Sequence, residues 1–171
     1  MPLTRINNLG ITDGTIVNAD IASAAAIATS KLGAGAVLQV VNATDSTIRS
    51  TTSTTFVTAS NTVSVNITPS SASNKILVIG FTLTKGATGL ANSITALYRD
   101  NTTQLAITGS DHNGTMGATG FSYLDTPNTT SSTNYQIYLR ATGGGGNTVY
   151  MNTSDTGTAT IGTITALEIK G

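Results

Sequence analysis

The chain has 171 residues, with 34 Thr, 16 Ser and 14 Asn, eight basic and eight acidic side chains, and no cysteine. That length suits one domain of ordinary size plus an extension. The balanced charge supplies no general field for nucleic acid or an anionic membrane, and the lack of cysteine removes disulfides and thiolate metal sites. No basic stretch followed by an unbroken apolar run opens the chain, and nothing approaches the ~20 apolar residues of a membrane span. Neither self-export nor membrane insertion is expected.

Residues 1–35 read differently from 36–171. The first part is alanine-rich and carries Ile11, Ile16, Ile21, Ile27 and Leu32 at intervals of four to six. Asn18 or Asp20 can cap a first turn, Ala24, Ala25, Ala26 and Ala28 favour helix, and Gly33 and Gly35 supply a stop. The spacing predicts a short helix over Ala22–Leu32, too short to stand alone in water and therefore packed on something. It either lies on its own domain or acts as a docking or self-association peg.

After Gly35 the period changes to two. Strands are predicted at Val37–Asn42, Thr54–Ala59, Thr62–Thr68, Lys75–Thr84, Ser93–Arg99, Gln104–Thr108, Gly120–Leu124, Tyr135–Ala141, Thr148–Asn152 and Thr163–Lys170. Many short strands separated by Gly, Asn, Ser and Asp imply a mainly β fold: an antiparallel, jelly-roll-like β-sandwich head. Val63, Val65 and Ile67 alternate with polar residues, as a half-exposed strand should. Ile76, Leu77, Val78, Ile79, Phe81 and Leu83 place apolar groups on both faces, the pattern of a strand covered twice. In a two-layer sandwich the second cover is either a neighbouring subunit or the N-terminal helix.

Catalytic chemistry is thin. Glycan cleavage needs two carboxyl groups about 5–10 Å apart, and the chain has seven Asp and one Glu. Asp45, Asp100, Asp111, Asp125 and Asp155 sit in turn-like contexts, where Asp closes its own backbone turn. His112 is the single histidine and no nucleophile motif accompanies it, so no enzyme, catalytic residue, cofactor or metal is expected. Asp111, His112 and Asn113 form the densest polar cluster. Three copies of it around an axis could hold a metal or anion; otherwise it is an exposed loop. Gly114, Gly117 and Gly120 read as a flexible loop, and Gly143–Gly146 as a connection without the Lys-Ser/Thr pair of a phosphate cradle. Tyr98, Tyr123, Tyr135, Tyr138 and Tyr150 are the rings able to stack on sugars, or else core residues.

The stretch Gly14-Thr15-Ile16-Val17-Asn18-Ala19-Asp20-Ile21, continuing through Ala25-Ala26-Ile27 to Ser30-Lys31-Leu32, resembles a segment of fibre proteins of tailed bacteriophages, particularly those of aquatic hosts. Further marks follow in order: Val37-Leu38-Gln39-Val40-Val41, Ile67-Thr68-Pro69, Ser73-Asn74-Lys75-Ile76-Leu77-Val78, Tyr123-Leu124-Asp125-Thr126-Pro127 and Ile164-Thr165-Ala166-Leu167-Glu168-Ile169. The resemblance implies a short homotrimeric tail fibre on the exterior of the virion, its N-terminus attached to the particle and its C-terminal head facing the host. Leu3, Ile6, Leu9, Ile11, Ile16 and Ile21 would dock to virion proteins of tail, baseplate or capsid. Ile27, Leu32, Ile76, Val78 and Phe81 would lie at the trimer interface. Asp111, His112, Asn113, Thr126 and Asn128 belong to the loops Asp111–Thr119 and Thr126–Thr133, expected to meet a host-surface glycan or protein, because recognition concentrates on polar loops held by rigid strands. The alternative is a capsid-decorating head fibre or baseplate structural protein with no host ligand.

Overall fold

The computed structural model describes residues 21, 31–87, 91–110, 115–142 and 146–171. The chain divides into two units, Met1–Leu32 and Gly33–Gly171. Within the first, only Ile21, Lys31 and Leu32 are described, so the expected helix and the docking positions Leu3, Ile6, Leu9, Ile11 and Ile16, with Ile27, lie outside the described residues.

Among its described residues the second unit holds ten strands: β1 (Val37–Asp45), β2 (Arg49–Thr51), β3 (Ser64–Ile67), β4 (Lys75–Gly86), β5 (Asn92–Arg99), β6 (Thr103–Ser110), β7 (Met116–Asp125), β8 (Thr133–Thr142), β9 (Val149–Met151) and β10 (Gly162–Ile169). Every pairing is antiparallel. One edge of β4 takes β10 along Lys75–Phe81 and then β9 along Thr84–Gly86, while β7 runs along the other edge. The first sheet therefore reads β1-β10-β4-β7, with the short pair β2-β9 extending it at one end. The second reads β3-β8-β5-β6. Consecutive strands β3 to β4, β4 to β5, β6 to β7 and β7 to β8 change sheet, which makes this an eight-stranded jelly roll with β2 and β9 added.

Alternation sets the core. From the first sheet Ile76, Val78, Phe121, Val149, Met151, Ile164 and Ala166 point inward, and from the second Val65, Ile67, Leu97, Tyr135, Ile137, Leu139 and Ala141 meet them. Each is nearly solvent-free, and burial of such side chains contributes about 1.5–3 kcal/mol apiece. The segment before β3 runs along the free edge of β8: Val57 exchanges backbone hydrogen bonds with Leu139 at 3.0 and 2.8 Å, and the Ala141 amide donates to the Ser53 carbonyl at 2.7 Å. Phe56 then lies edge-on to Tyr98 with the Arg140 guanidinium 5.0 Å over its ring, pinning this long connection to the outside of the second sheet.

Several local expectations are revised. Thr54–Ala59 makes one bridge, Val57 to Leu139, instead of a strand, because Ala59 and Ser60 adopt left-handed φ values of 51° and 59° and end any extension. The region about Gly117 and Gly120 is β7, not a flexible loop, since its backbone is paired residue by residue with β4. The β5–β6 turn uses Asp100 and Asn101, both left-handed, which matches the right-handed twist of the strands they join.

An apolar sheet face and three buried carboxylates

β4 is inverted relative to ordinary expectation. Toward the core it turns Ile76 and Val78, but then Gly80, Thr82, Thr84 and Gly86; toward the outside it turns Leu77, Ile79, Phe81 and Leu83. The inward hydroxyls are satisfied: Thr82 Oγ1 donates to Asn152 Oδ1 at 2.9 Å, and Ser93 Oγ donates to Thr84 Oγ1 at 2.7 Å. Their partners offset the cost of burying them.

The register carries the outward apolar set across the sheet. Val40, Leu167, Leu77 and Leu124 face one another in a row over β1, β10, β4 and β7, and Ile79 and Phe81 continue it up β4 beside Ser122 and Gly120. Among the described residues ten large hydrophobics are exposed, and six of them (Val37, Val40, Ile79, Phe81, Met116 and Leu124) belong to this one face; Ile79 is 47% and Phe81 42% exposed. The polar part of the face is internally closed. Asn42 Nδ2 donates to Thr163 Oγ1, the Ile164 carbonyl and Thr165 Oγ1 at 3.1, 3.2 and 2.8 Å. Along the outward side of β4, charge is confined to Lys75 and Lys85 at its two ends.

Of the interface positions expected from sequence, Phe81 lies on this face. Ile76 and Val78 do not: both point between the sheets and are solvent-free, because the strand's parity puts even-numbered residues inside. Leu77, Ile79 and Leu83 share this outward side of β4, which the unbroken apolar run Ile76–Ile79 does not declare, and Leu124 joins them from β7. Ile21 and Leu32 are exposed and half-buried. In the loops, Thr126 and Asn128 are exposed on the β7–β8 connection, and Asn128 has φ 53°. Asp111, His112 and Asn113 lie outside the described residues.

Carboxylates that could have served catalysis are engaged structurally. Asp125 receives Arg99 Nη1 on both oxygens at 2.8 Å and the Tyr135 hydroxyl on Oδ2 at 2.7 Å, tying β7 of one sheet to β5 and β8 of the other. Burial, then the bond to Asp125, holds the Tyr135 phenol far above its ordinary range, so it remains a donor. Glu168, 1% exposed, points inward from β10, and among the described residues no ion pair to it is formed. It accepts instead from Gln39 Nε2 at 2.7 Å, the Ser70 amide at 2.6 Å, Ser70 Oγ at 2.8 Å and Asn74 Nδ2 at 2.5 Å. Burial alone would raise the Glu168 pKa, but these donors outweigh it and hold it below the ordinary value. Asp45 behaves likewise: desolvation raises its pKa, and bonds from the Thr47 and Thr62 amides and from Arg49 bring it down. Among the described residues no group of three or more His, Cys, Asp or Glu is placed to hold a metal ion.

No protein-family model and no curated protein matches the chain. Solved structures to which it is similar include the infectious bursal disease virus VP2 subviral particle, at 14% identity and a TM-score of 0.40. Two others are T=1 particles derived from that virus (16%, 0.39) and its Gt strain (16%, 0.41). The matches cover 77–78% of this chain, which in turn spans under two fifths of theirs, at 39%, 36% and 38%. The fold assignment rests on the strand order itself.

Proposed function

We propose that the protein is a non-enzymatic structural component of a phage virion, a short homotrimeric tail fibre whose head assembles with copies of itself through the outer face of the β1-β10-β4-β7 sheet. The observation carrying this reading is the inversion of β4, which turns four large apolar side chains outward and threonines inward. Such a face is stabilised when it is covered, and an assembled head covers it. Four strands about 4.8 Å apart and eight residues of about 3.3 Å give a face of roughly 19 by 26 Å. That is about 500 Å² in projection, polar part included, and with its rim it approaches the ~800 Å² per partner of a standard interface. The number three, the tail location and attachment through Leu3, Ile6, Leu9, Ile11, Ile16 and Ile21 follow from the resemblance to phage fibre proteins. Loop residues such as Thr126 and Asn128, exposed on the β7–β8 connection, would meet a host glycan or protein, with weak contacts multiplied by copy number.

Light scattering on the purified chain tests assembly, and a monomer at micromolar concentration removes the reading. Deleting residues 3–21 should leave a folded head that no longer joins particles. Imaging of intact particles then separates a tail fibre from a capsid-decorating protein, which would occupy regular capsid positions.

A further inference from the structure

Beyond the upper end of the apolar face, where β4 leaves β10 and meets β9, lies a cleft of about 270 Å³ lined by Ile48, Lys85, Ala87, Tyr150, Thr153 and Gly157. Its construction follows from register. Lys85 and Tyr150 are direct cross-strand partners, and because their neighbours Thr84, Gly86, Val149 and Met151 are buried, both point outward. The Lys85 ammonium donates one hydrogen bond to the Asp155 carbonyl at 2.6 Å, which fixes its reach over the cleft and leaves two N–H donors uncommitted to that bond. Ile48, 37% exposed, supplies an aliphatic wall. Gly157, at φ 80°, adds a wall with no Cβ and open space beside it.

From these groups we propose that the cleft binds one anionic pyranose unit of a polysaccharide. A sugar ring presents an apolar C–H face and a polar rim, which matches a phenol ring and an aliphatic wall on one side and hydrogen-bonding groups on the other. The single cation selects for a carboxylate or sulfate substituent, because a charge-assisted bond is about twice as strong as a neutral one. The volume lies just under the range of ordinary small-ligand sites, which fits a single ring and not a chain segment. This inference rests on the host-contact part of the proposed function and adds a second contact at the end of β4 away from Thr126 and Asn128, since Lys85 pairs with Met116 while Ile76 pairs with Asp125, the residue before Thr126.

The test is an NMR titration of the full chain with three trisaccharides: galacturonate, sulfated galactose and neutral galactose. Shifts at Lys85, Tyr150 and Gly157 on adding either acidic sugar, with the neutral one at least about tenfold weaker, are expected, and which acid binds more tightly identifies the substituent. Lys85→Met should weaken acidic binding about tenfold while Lys85→Arg, which keeps charge and donor, retains it; Tyr150→Leu should abolish binding of every sugar. Melting curves confirm that each variant is folded, and Lys85→Gln replaces Lys85→Met if the latter is not. No shifts at millimolar sugar, no preference for the acidic forms, or affinity indifferent to both Lys85→Met and Tyr150→Leu overturns the proposal. Retention of the protein on host cells is measured separately. A chain that binds the sugars but not cells removes the host-contact reading and leaves the cleft, and the opposite result does the reverse.

Discussion

Glu168 shows how a chain poor in charge uses a carboxylate. Four neutral donors from β1 and the β3–β4 connection converge on it, so its ionised form is the one the fold stabilises. The Glu168 and Asp45 pKa values are both lowered in the folded state. Their contribution is therefore fully present above the unfolded values, 4.5 for Glu and 3.8 for Asp, and is lost as pH falls through the folded values. Melting temperatures should stay flat from pH 7 to about 5 and fall below it. Glu168→Gln should cost about 1–3 kcal/mol at pH 7, because one amide group replaces an acceptor pair, and should flatten that acid limb. A variant with an unchanged acid limb would show that Glu168 does not drive it. Asp125 differs in having a cation. Arg99→Met leaves a 5%-exposed carboxylate with Tyr135 as its remaining side-chain donor among the described residues and should cost about 3–5 kcal/mol in chemical denaturation, with Tyr135→Phe costing clearly less.

At the scale of elements, most strands were legible because Thr, Val and Ile alternate along them. β3, β8 and β10 alternate inward and outward along their length, and their expected spans differ from the observed ones by at most two residues. β2 was not legible, since Arg49–Thr51 is three residues long and is held by β9 and not by any pattern of its own. β4 was legible as a strand but not in its orientation. Ile76–Ile79 offers no polar alternate, so parity is set by contacts distant in sequence: a Cβ at Gly80 would meet Ile137 Cδ1 at 3.2 Å, and Thr82 needs Asn152. The engagement of Asp125 and Glu168 was equally hidden, because their donors are 10 to 129 residues away. Gly162 marks where two such elements press together. A Cβ there would run into Asn152 Oδ1, and Asn152 is a buried left-handed residue whose amide also donates to the Thr47 carbonyl at 3.1 Å. Gly162→Ala should therefore destabilise by about 1–3 kcal/mol, measured by denaturant unfolding, with an unchanged m-value.

For the whole molecule, the consequence of an outward-facing apolar sheet is that stability and concentration should be linked. If copies cover Leu77, Ile79, Phe81 and Leu124, association adds to folding free energy and the melting temperature rises with protein concentration. Lysine at Ile79 or Phe81 changes a side chain about half exposed in the single chain, so the cost to the isolated fold is small, while a charge buried at an interface without a partner opposes assembly strongly. Ile79→Lys and Phe81→Lys are therefore expected to give folded monomers by light scattering, with melting temperatures that no longer depend on concentration. Ile107 provides the control: it is 53% exposed on β6, in the other sheet, and Ile107→Lys should preserve both the assembly and its concentration dependence. If all three lysine variants dissociate, the effect is general charge and the face is not the contact. If none does, the outward apolar strand serves something other than self-association.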